Sequence, residues 1–508
     1  MSESLLESKN LSSRPIVDRF FETSHLDADL KGRSIRGGAV MFTAQVAKFV
    51  IQVSSTAVLA RLLMPADFGL VAMVSAVTGF IGAFWDLGLS SATIQRAEIT
   101  HQQVSTLFWI SVGVSLLTSA VVAALAPEIA WFYHEPRLTW ITLVSAGGFI
   151  FGGLTAQHYA LLTRQMRFGA MALVQTLPQL ASVLVAIGLA MAGWGYWALV
   201  IMGIVAGAGT ALVAWIATGW RPGLPSRNCG VGSMLGFGGH LTGFNLLNYL
   251  TRNADNVLIG RYLGPGPLGI YSKAYALLIF PVQQINAPVN GVVLPALSRL
   301  QNRPEQYRRY FLRAVEGLAF IGMPIIIFAF VDARPLVLTF LGPKWGGAVI
   351  IFRLLAPAAL VGTINSAPAW IFTSLGRTDR LFLWATISSP IIIAGFIVGL
   401  KWGAAGIAAS FSITFSLCFA LFVFDACRHS PVRLRDFVPV LFPPLCASVV
   451  AALVTGAIGL HLHLPAALRL GLDAVIFAAI FSASSLVFPS GRRMRRLVLT
   501  RGGSMDAQ

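Results

Sequence analysis

Hydrophobic runs of membrane-spanning length dominate the chain, separated by short polar stretches. At about 20 apolar residues per crossing, the pattern predicts fourteen helices. Six fall near 38–60, 67–89, 104–126, 138–161, 172–192 and 194–218, and six more near 235–259, 268–292, 313–332, 346–372, 379–400 and 403–427. A last pair follows near 437–459 and 465–489. The expected fold class is an all-α polytopic membrane protein of about 14 transmembrane helices, built as two six-helix lobes plus two C-terminal helices. In segments, this gives a tail over 1–36, a first lobe over 37–218, a linker over 219–234, a second lobe over 235–427, the final pair over 437–489 and a basic tail over 490–508.

Within this apolar pattern, one stretch has a polar face and an echo. Asn245, Asn248, Arg252 and Asp255 follow one another at steps of three, four and three, which places them on a single helical stripe. Gln45, Lys48, Gln52 and Ser55 keep the same steps in the first span. The register continues without a gap: ARLLMPADFGL, from Ala60, aligns with GRYLGPGPLGI, from Gly260, so that Arg61 meets Arg261, Pro65 meets Pro265 and Gly69 meets Gly269. Repeated bundles with polar-striped helices in matching places imply a transporter. Because each lobe has an even number of spans, the repeat is parallel, about a pseudo-twofold along the membrane normal.

Composition supports this reading. Hydrophobic residues make up 56% of the chain and charged ones 11%, too few to cover a water-soluble domain. The net charge of +17 fits cytoplasmic loops against anionic headgroups, and nucleic acid is not an expected partner. Of the 37 Lys and Arg residues, 26 fall on the side that holds both termini and 7 on the other, which predicts a cytoplasmic N-terminus and C-terminus. The polar first 36 residues show no cleavable signal. Cys229, Cys418, Cys427 and Cys446 have no metal or disulfide spacing, and the eight histidines are scattered, so no catalytic or metal cluster is expected.

The four remaining cations lie within spans. Lys48, Arg252, Lys273 and Arg353 each cost on the order of 3 kcal/mol near a bilayer midplane. Acidic partners are scarce, and a water-filled cleft between spans 1, 2, 7 and 8 that receives a phosphate or diphosphate explains the surplus. The plainer alternatives stay open: Arg252 paired with Asp255, Lys273 snorkelling to an interface, Arg353 reaching headgroups. Gln45, Gln52, Asn245, Asn248 and Asp255 would supply polar lining. Asp86, in FWDLG, either binds a coupling cation or faces a basic residue such as Arg96. Arg61 and Arg261 either guard an outer mouth or simply end a helix. Pro178, Pro281, Pro288, Pro324, Pro357, Pro368 and Pro390 interrupt spans as hinges or as ordinary kinks. The basic segment SRLQNRPEQYRRYFLRA reads as an interfacial amphipathic linker.

Several longer motifs carry a family resemblance: ARLLMPADFGLVAM, WDLGLSSATIQR, IAWFYHEPRL, LLTRQMRF, WGYWALV, NADNVLIGRYLGPGPLGIYSKAY and VLPALSRLQNRPEQYRRY. Over roughly 31–430 the chain resembles the Wzx-type polysaccharide transporters, flippases of the multidrug/oligosaccharidyl-lipid/polysaccharide exporter superfamily. The resemblance implies a multi-pass protein of the bacterial inner membrane. It also implies an undecaprenyl-diphosphate-linked oligosaccharide as substrate, moved from the cytoplasmic to the periplasmic leaflet by alternating access, for exopolysaccharide or lipopolysaccharide biosynthesis. By location, Lys48, Arg252, Lys273 and Arg353 match the cationic cavity of such proteins. The implied partners are the lipid-linked glycan, membrane lipids, and a polysaccharide polymerase with its export machinery. No cofactor is expected, and the identity of any coupling cation, H+ or Na+, is open. The alternatives are a drug/cation antiporter of the same superfamily and a membrane enzyme of polysaccharide assembly. Against the first, span 1 carries a lysine and no acid, and against the second, no catalytic cluster assembles.

Overall fold

A computed structural model describes residues 30–82, 89–96, 99–226, 249, 251–461, 464–489 and 491–492, and every regular element among them is helical. In chain order these are α1 (Leu30–Leu62), α2 (Pro65–Gly82), α3 (Leu89–Gln95), α4 (His101–Ala124), α5 (Ala126–Tyr133), α6 (Arg137–Arg164), α7 (Phe168–Met191) and α8 (Trp197–Thr218). Helix α9 covers 251–263. It is followed by α10 (Pro265–Arg299), α11 (Pro304–Val331), α12 (Ala333–Phe340), α13 (Ala348–Gly362), α14 (Ser366–Ser374), α15 (Thr378–Gly399), α16 (Gly403–Arg428), α17 (Val438–His461) and α18 (Ala466–Ser485).

Among the described residues, eleven helical stretches are long and apolar enough to cross a membrane, or twelve when α10, bent by 41° at Pro288, counts as one span. One of the eleven, Thr378–Arg428, consists of two helices, α15 and α16, that turn through Leu400–Trp402 and pack along each other. Apolar side chains point outward from these helices: Ile216, Ile413, Leu453 and Val475 are all more than two-thirds exposed, as lipid contact requires.

The chain divides into two compact units, Met1–Asn253 with Gly260–Pro265, and Ala254–Ile259 with Gly266–Gln508. In the first, α1 packs along α7, α7 along α8, and α6 against both α4 and α8. A buried aromatic cluster closes one end of this unit. His158 is bonded to Thr218 at 2.8 Å and tilted over Trp215 at 4.5 Å, while Trp220 donates to His101 at 3.0 Å. His158 also lies edge-on to Trp220, with ring centres 5.1 Å apart, so two of the scattered histidines converge on Trp220 in a packing role.

In the second unit, Tyr307, Phe311, Val315 and Leu318 of α11 pack with Trp370 and Phe372 of α14, and α17 lies along both α11 and α18. Each unit carries an eight-residue helix directly after a long span, α5 after α4 in one and α12 after α11 in the other. The echo seen in the polar stripes therefore extends to the short elements, which hydrophobicity counting passed over as loops.

Two expectations are corrected here. The basic segment near 298–314 is not a separate surface linker: from Pro304 it is the first part of α11, continuous with the apolar span. It is held there because Arg308 grips Asp436 with both arms of its guanidinium, Nε to Oδ2 at 2.7 Å and Nη2 to Oδ1. Asp436 also accepts from the Arg433 backbone N–H at 2.8 Å. Pro368 does not interrupt a helix either. The predicted span over 346–372 breaks at Thr363–Asn365, and Pro368 lies in the first turn of α14, where a missing N–H costs nothing. By contrast, Pro178, Pro281, Pro288, Pro324, Pro357 and Pro390 lie inside helices, as expected.

Candidate functional site

The polar stripe of α1 meets a second stripe on α7. Lys48, half-buried, donates from Nζ to Gln175 Oε1 at 3.0 Å, and the Gln175 amide donates in turn to the Tyr159 hydroxyl on α6. One turn along, Gln179 Nε2 donates to Gln52 Oε1 at 3.4 Å. Lys48 and Gln52 are four residues apart on α1, Gln175 and Gln179 four apart on α7, so the pairs form successive rungs between packed helices. Ser55, the last member of the stripe, is buried and bonds back to the Gln52 carbonyl at 3.0 Å. Gln45, at the other end, is exposed. The acceptor that holds Lys48 is a neutral amide, which orients the ammonium without cancelling its charge. Gln175 and Gln179 were not singled out in the sequence, although two glutamines four apart in the apolar run LVQTLPQLASV were the available signal.

Helix α9 is anchored just before Arg252. The Tyr249 hydroxyl donates to the Ser75 carbonyl on α2 at 2.7 Å and fills the notch left by Gly79, where a Cβ would stand 2.1 Å from it. Arg252, on the next turn, is exposed. Asp255 is buried, and its carboxylate accepts from the Tyr271 hydroxyl at 2.8 Å and from the Asn256 backbone N–H at 2.7 Å. Lys273 is half-buried on α10, and Arg353 is exposed on α13. Asp86, Asn245 and Asn248 lie outside the described residues.

The repeat-related arginines have different surroundings. Arg61 is exposed in the last turn of α1. The Arg261 guanidinium lies 5.7 Å from the ring centre of Phe132 and 5.6 Å from that of Tyr262, in cation–π geometry. Beside it, the backbone of Pro265 presses on Gly69, where a Cβ would come 1.8 Å from the Pro265 carbonyl oxygen. Across the same end of this unit, Arg137 grips Glu135 with two hydrogen bonds of 2.8 Å, which hold the Glu135 carboxyl below the usual range. The first unit thus holds Lys48, Arg61, Arg252 and Arg261, with Gln45 and Gln52. The second holds Asp255, Lys273 and Arg353.

A protein-family model described as "Polysaccharide biosynthesis protein" matches residues 58–350, more than half of the chain. The chain belongs to that family. Its relatives include the lipopolysaccharide biosynthesis protein WzxC of Escherichia coli (strain K12), 24% identical over 443 residues that cover 85% of this chain and 89% of WzxC. The teichuronic acid biosynthesis protein TuaB of Bacillus subtilis (strain 168) is 28% identical, covering 66% of this chain and 70% of TuaB. The succinoglycan biosynthesis transport protein ExoT of Rhizobium meliloti (strain 1021) is 24% identical, covering 67% and 69%. In fold, the chain is similar to the lipid II flippase MurJ in an inward closed conformation, with a TM-score of 0.72 and 15% identity over 92% of this chain and all of MurJ. It is also similar to an inward-facing multidrug resistance MATE transporter, with a TM-score of 0.61 and 13% identity over 74% and 93%. These relatives agree with the resemblance to Wzx-type transporters and with a role in polysaccharide transport.

Proposed function

We propose that this member of the polysaccharide biosynthesis family is an inner-membrane flippase. It has fourteen spans and cytoplasmic termini, and it moves an undecaprenyl-diphosphate-linked oligosaccharide to the periplasmic leaflet by alternating access. Family membership, the transport role in the name of ExoT and the flippase named in the MurJ structure support this reading. The observation that carries it is Lys48, an ammonium more than ten residues from either end of the apolar span Arg36–Leu62, held by Gln175 with its charge uncancelled. A fixed positive charge in hydrocarbon is costly unless a mobile anion visits it. A diphosphate headgroup is such an anion, while the prenyl chain stays in lipid. In this reading Arg252, Lys273 and Arg353 add to the diphosphate site, and the amides of Gln45, Gln52, Asn245 and Asn248 with Asp255 face the glycan. Arg61 and Arg261 act at the outer end. A polymerase and export machinery take the product.

Replacing Lys48 and Arg252 together with Ala is expected to leave the protein in the membrane and to make lipid-linked repeat units accumulate on the cytoplasmic leaflet. Export at the wild-type rate by the double variant would refute the anion site.

A further inference from the structure

Asp332 occupies the N-cap of α12, where an aspartate normally accepts hydrogen bonds from the first helical turn. Its side chain makes no such bond. Helix α12 instead packs along α18, which brings the carboxyl close to that of Asp473. Both residues are nearly or wholly inside the protein, Asp332 at 2% exposure and Asp473 at 0%. One turn earlier on α18, Arg469 donates from Nε to Asp473 Oδ2 at 3.3 Å, and its guanidinium crowds Gly459 of α17, where a Cβ would lie 2.6 Å from Nη2. Asp332 Oδ2 and Asp473 Oδ1 are left buried with no partner, as is Thr455 Oγ1 on α17. The neighbouring packing is apolar, with Ala451, Ala452 and Phe477 against Phe328 and Val331.

Two carboxylates and one guanidinium carry a net charge of −1 in these surroundings. Two neighbouring carboxyls cannot both stay ionised at low cost away from water. One proton held between them makes the group neutral and turns the repulsion into an O–H···O hydrogen bond. Other charges on the elements packed there do not alter this balance. Arg334, Lys344 and Arg353 are exposed. Glu305, Arg308, Arg309, Arg313 and Glu316 lie on the far half of α11, about 24 Å or more along the helix. Helix α17 adds Cys446, more than two turns from Thr455, and ends at His461. The Arg469 side chain is 31% exposed, so the pair lies one turn from solvent and a proton has a short way in.

We propose that Asp332 and Asp473 form a one-proton binding site, loaded and emptied during the working cycle of the transporter. The cycle is that of the flippase reading above, but the site is testable without a substrate. Dicyclohexylcarbodiimide modifies protonated carboxyls in apolar surroundings. The purified full chain would be treated with it in detergent between about pH 5 and pH 9, and the peptides carrying Asp332 and Asp473 mapped by mass spectrometry. Modification is expected to fall about tenfold per pH unit above a single midpoint. In D332N, Asp473 keeps only Arg469 as a charged partner and is expected to resist the reagent throughout. In membrane vesicles, flipping by the wild type is expected to change severalfold between about pH 6 and pH 8, and flipping by D332N to be flat.

Wild-type modification that is constant with pH would overturn the site, as would modification that depends on sodium at fixed pH. An unchanged flipping profile in D332N would overturn its place in the cycle. The labelling of the wild type decides the matter even where D332N folds poorly, and it stands whether or not the chain flips a lipid. Failure of this site and failure of the flippase reading are therefore separate results.

Discussion

Lys48 shows how much a single neutral partner can decide. Gln175 fixes the ammonium and passes its own N–H to Tyr159, so the two substitutions at this position test opposite things. Q175L removes the acceptor from a half-buried charged donor and is expected to cost about 1–3 kcal/mol, seen as a lower thermal unfolding midpoint in detergent. Q175E keeps the shape but sets a carboxylate against Lys48. It is expected to leave unfolding near the wild-type midpoint and to abolish flipping of the lipid-linked glycan, because the charge offered to the diphosphate is cancelled. Normal flipping by Q175E would remove Lys48 from the substrate site. The sequence made Lys48 conspicuous through its depth in an apolar run, but its partner was not legible there. Gln175 stands 127 residues away, and a polar residue on a helix does not announce which neighbour it faces. The same holds for Asp255, whose stripe suggested Arg252 and whose carboxylate takes the Tyr271 hydroxyl.

At the scale of elements, the long apolar helices among the described residues were legible as membrane spans, because burial in lipid is a property each helix satisfies by its own composition. What escaped was anything that breaks or extends a span for a tertiary reason: the division between α13 and α14, the short helices α5 and α12, and the run of α11 beyond the bilayer-length segment toward Asp436. Helix contact is close where α15 and α16 turn back on each other. A Cβ on Gly406 would lie 2.2 Å from the Gly399 carbonyl oxygen, and one on Gly399 would lie 2.6 Å from that of Gly406. Such close backbone approach needs small residues. G406A is expected to destabilise the protein by about 1–3 kcal/mol. G188A, in α7 where a Cβ meets open space, is expected to be neutral or mildly stabilising because alanine favours helix. Comparing the two by thermal unfolding separates packing from helix propensity, and equal midpoints would contradict the close contact.

For the whole molecule, the bias of Lys and Arg toward one side predicts which ends face the cytoplasm. Single cysteines at His134 and Arg303, both exposed, in a background without the native cysteines, test it directly. Intact cells are expected to react with an impermeant maleimide at 134 and, only after permeabilisation, at 303. The reverse pattern would invert the topology. The apolar runs by themselves determine a polytopic helical membrane protein. They do so because partition between water and lipid is settled locally, span by span. The tertiary structure alone decided which polar groups meet, Lys48 with Gln175 and Asp332 with Asp473. Those meetings depend on how helices far apart in the chain rotate and register against one another, and the periodicity of a single span carries no record of that.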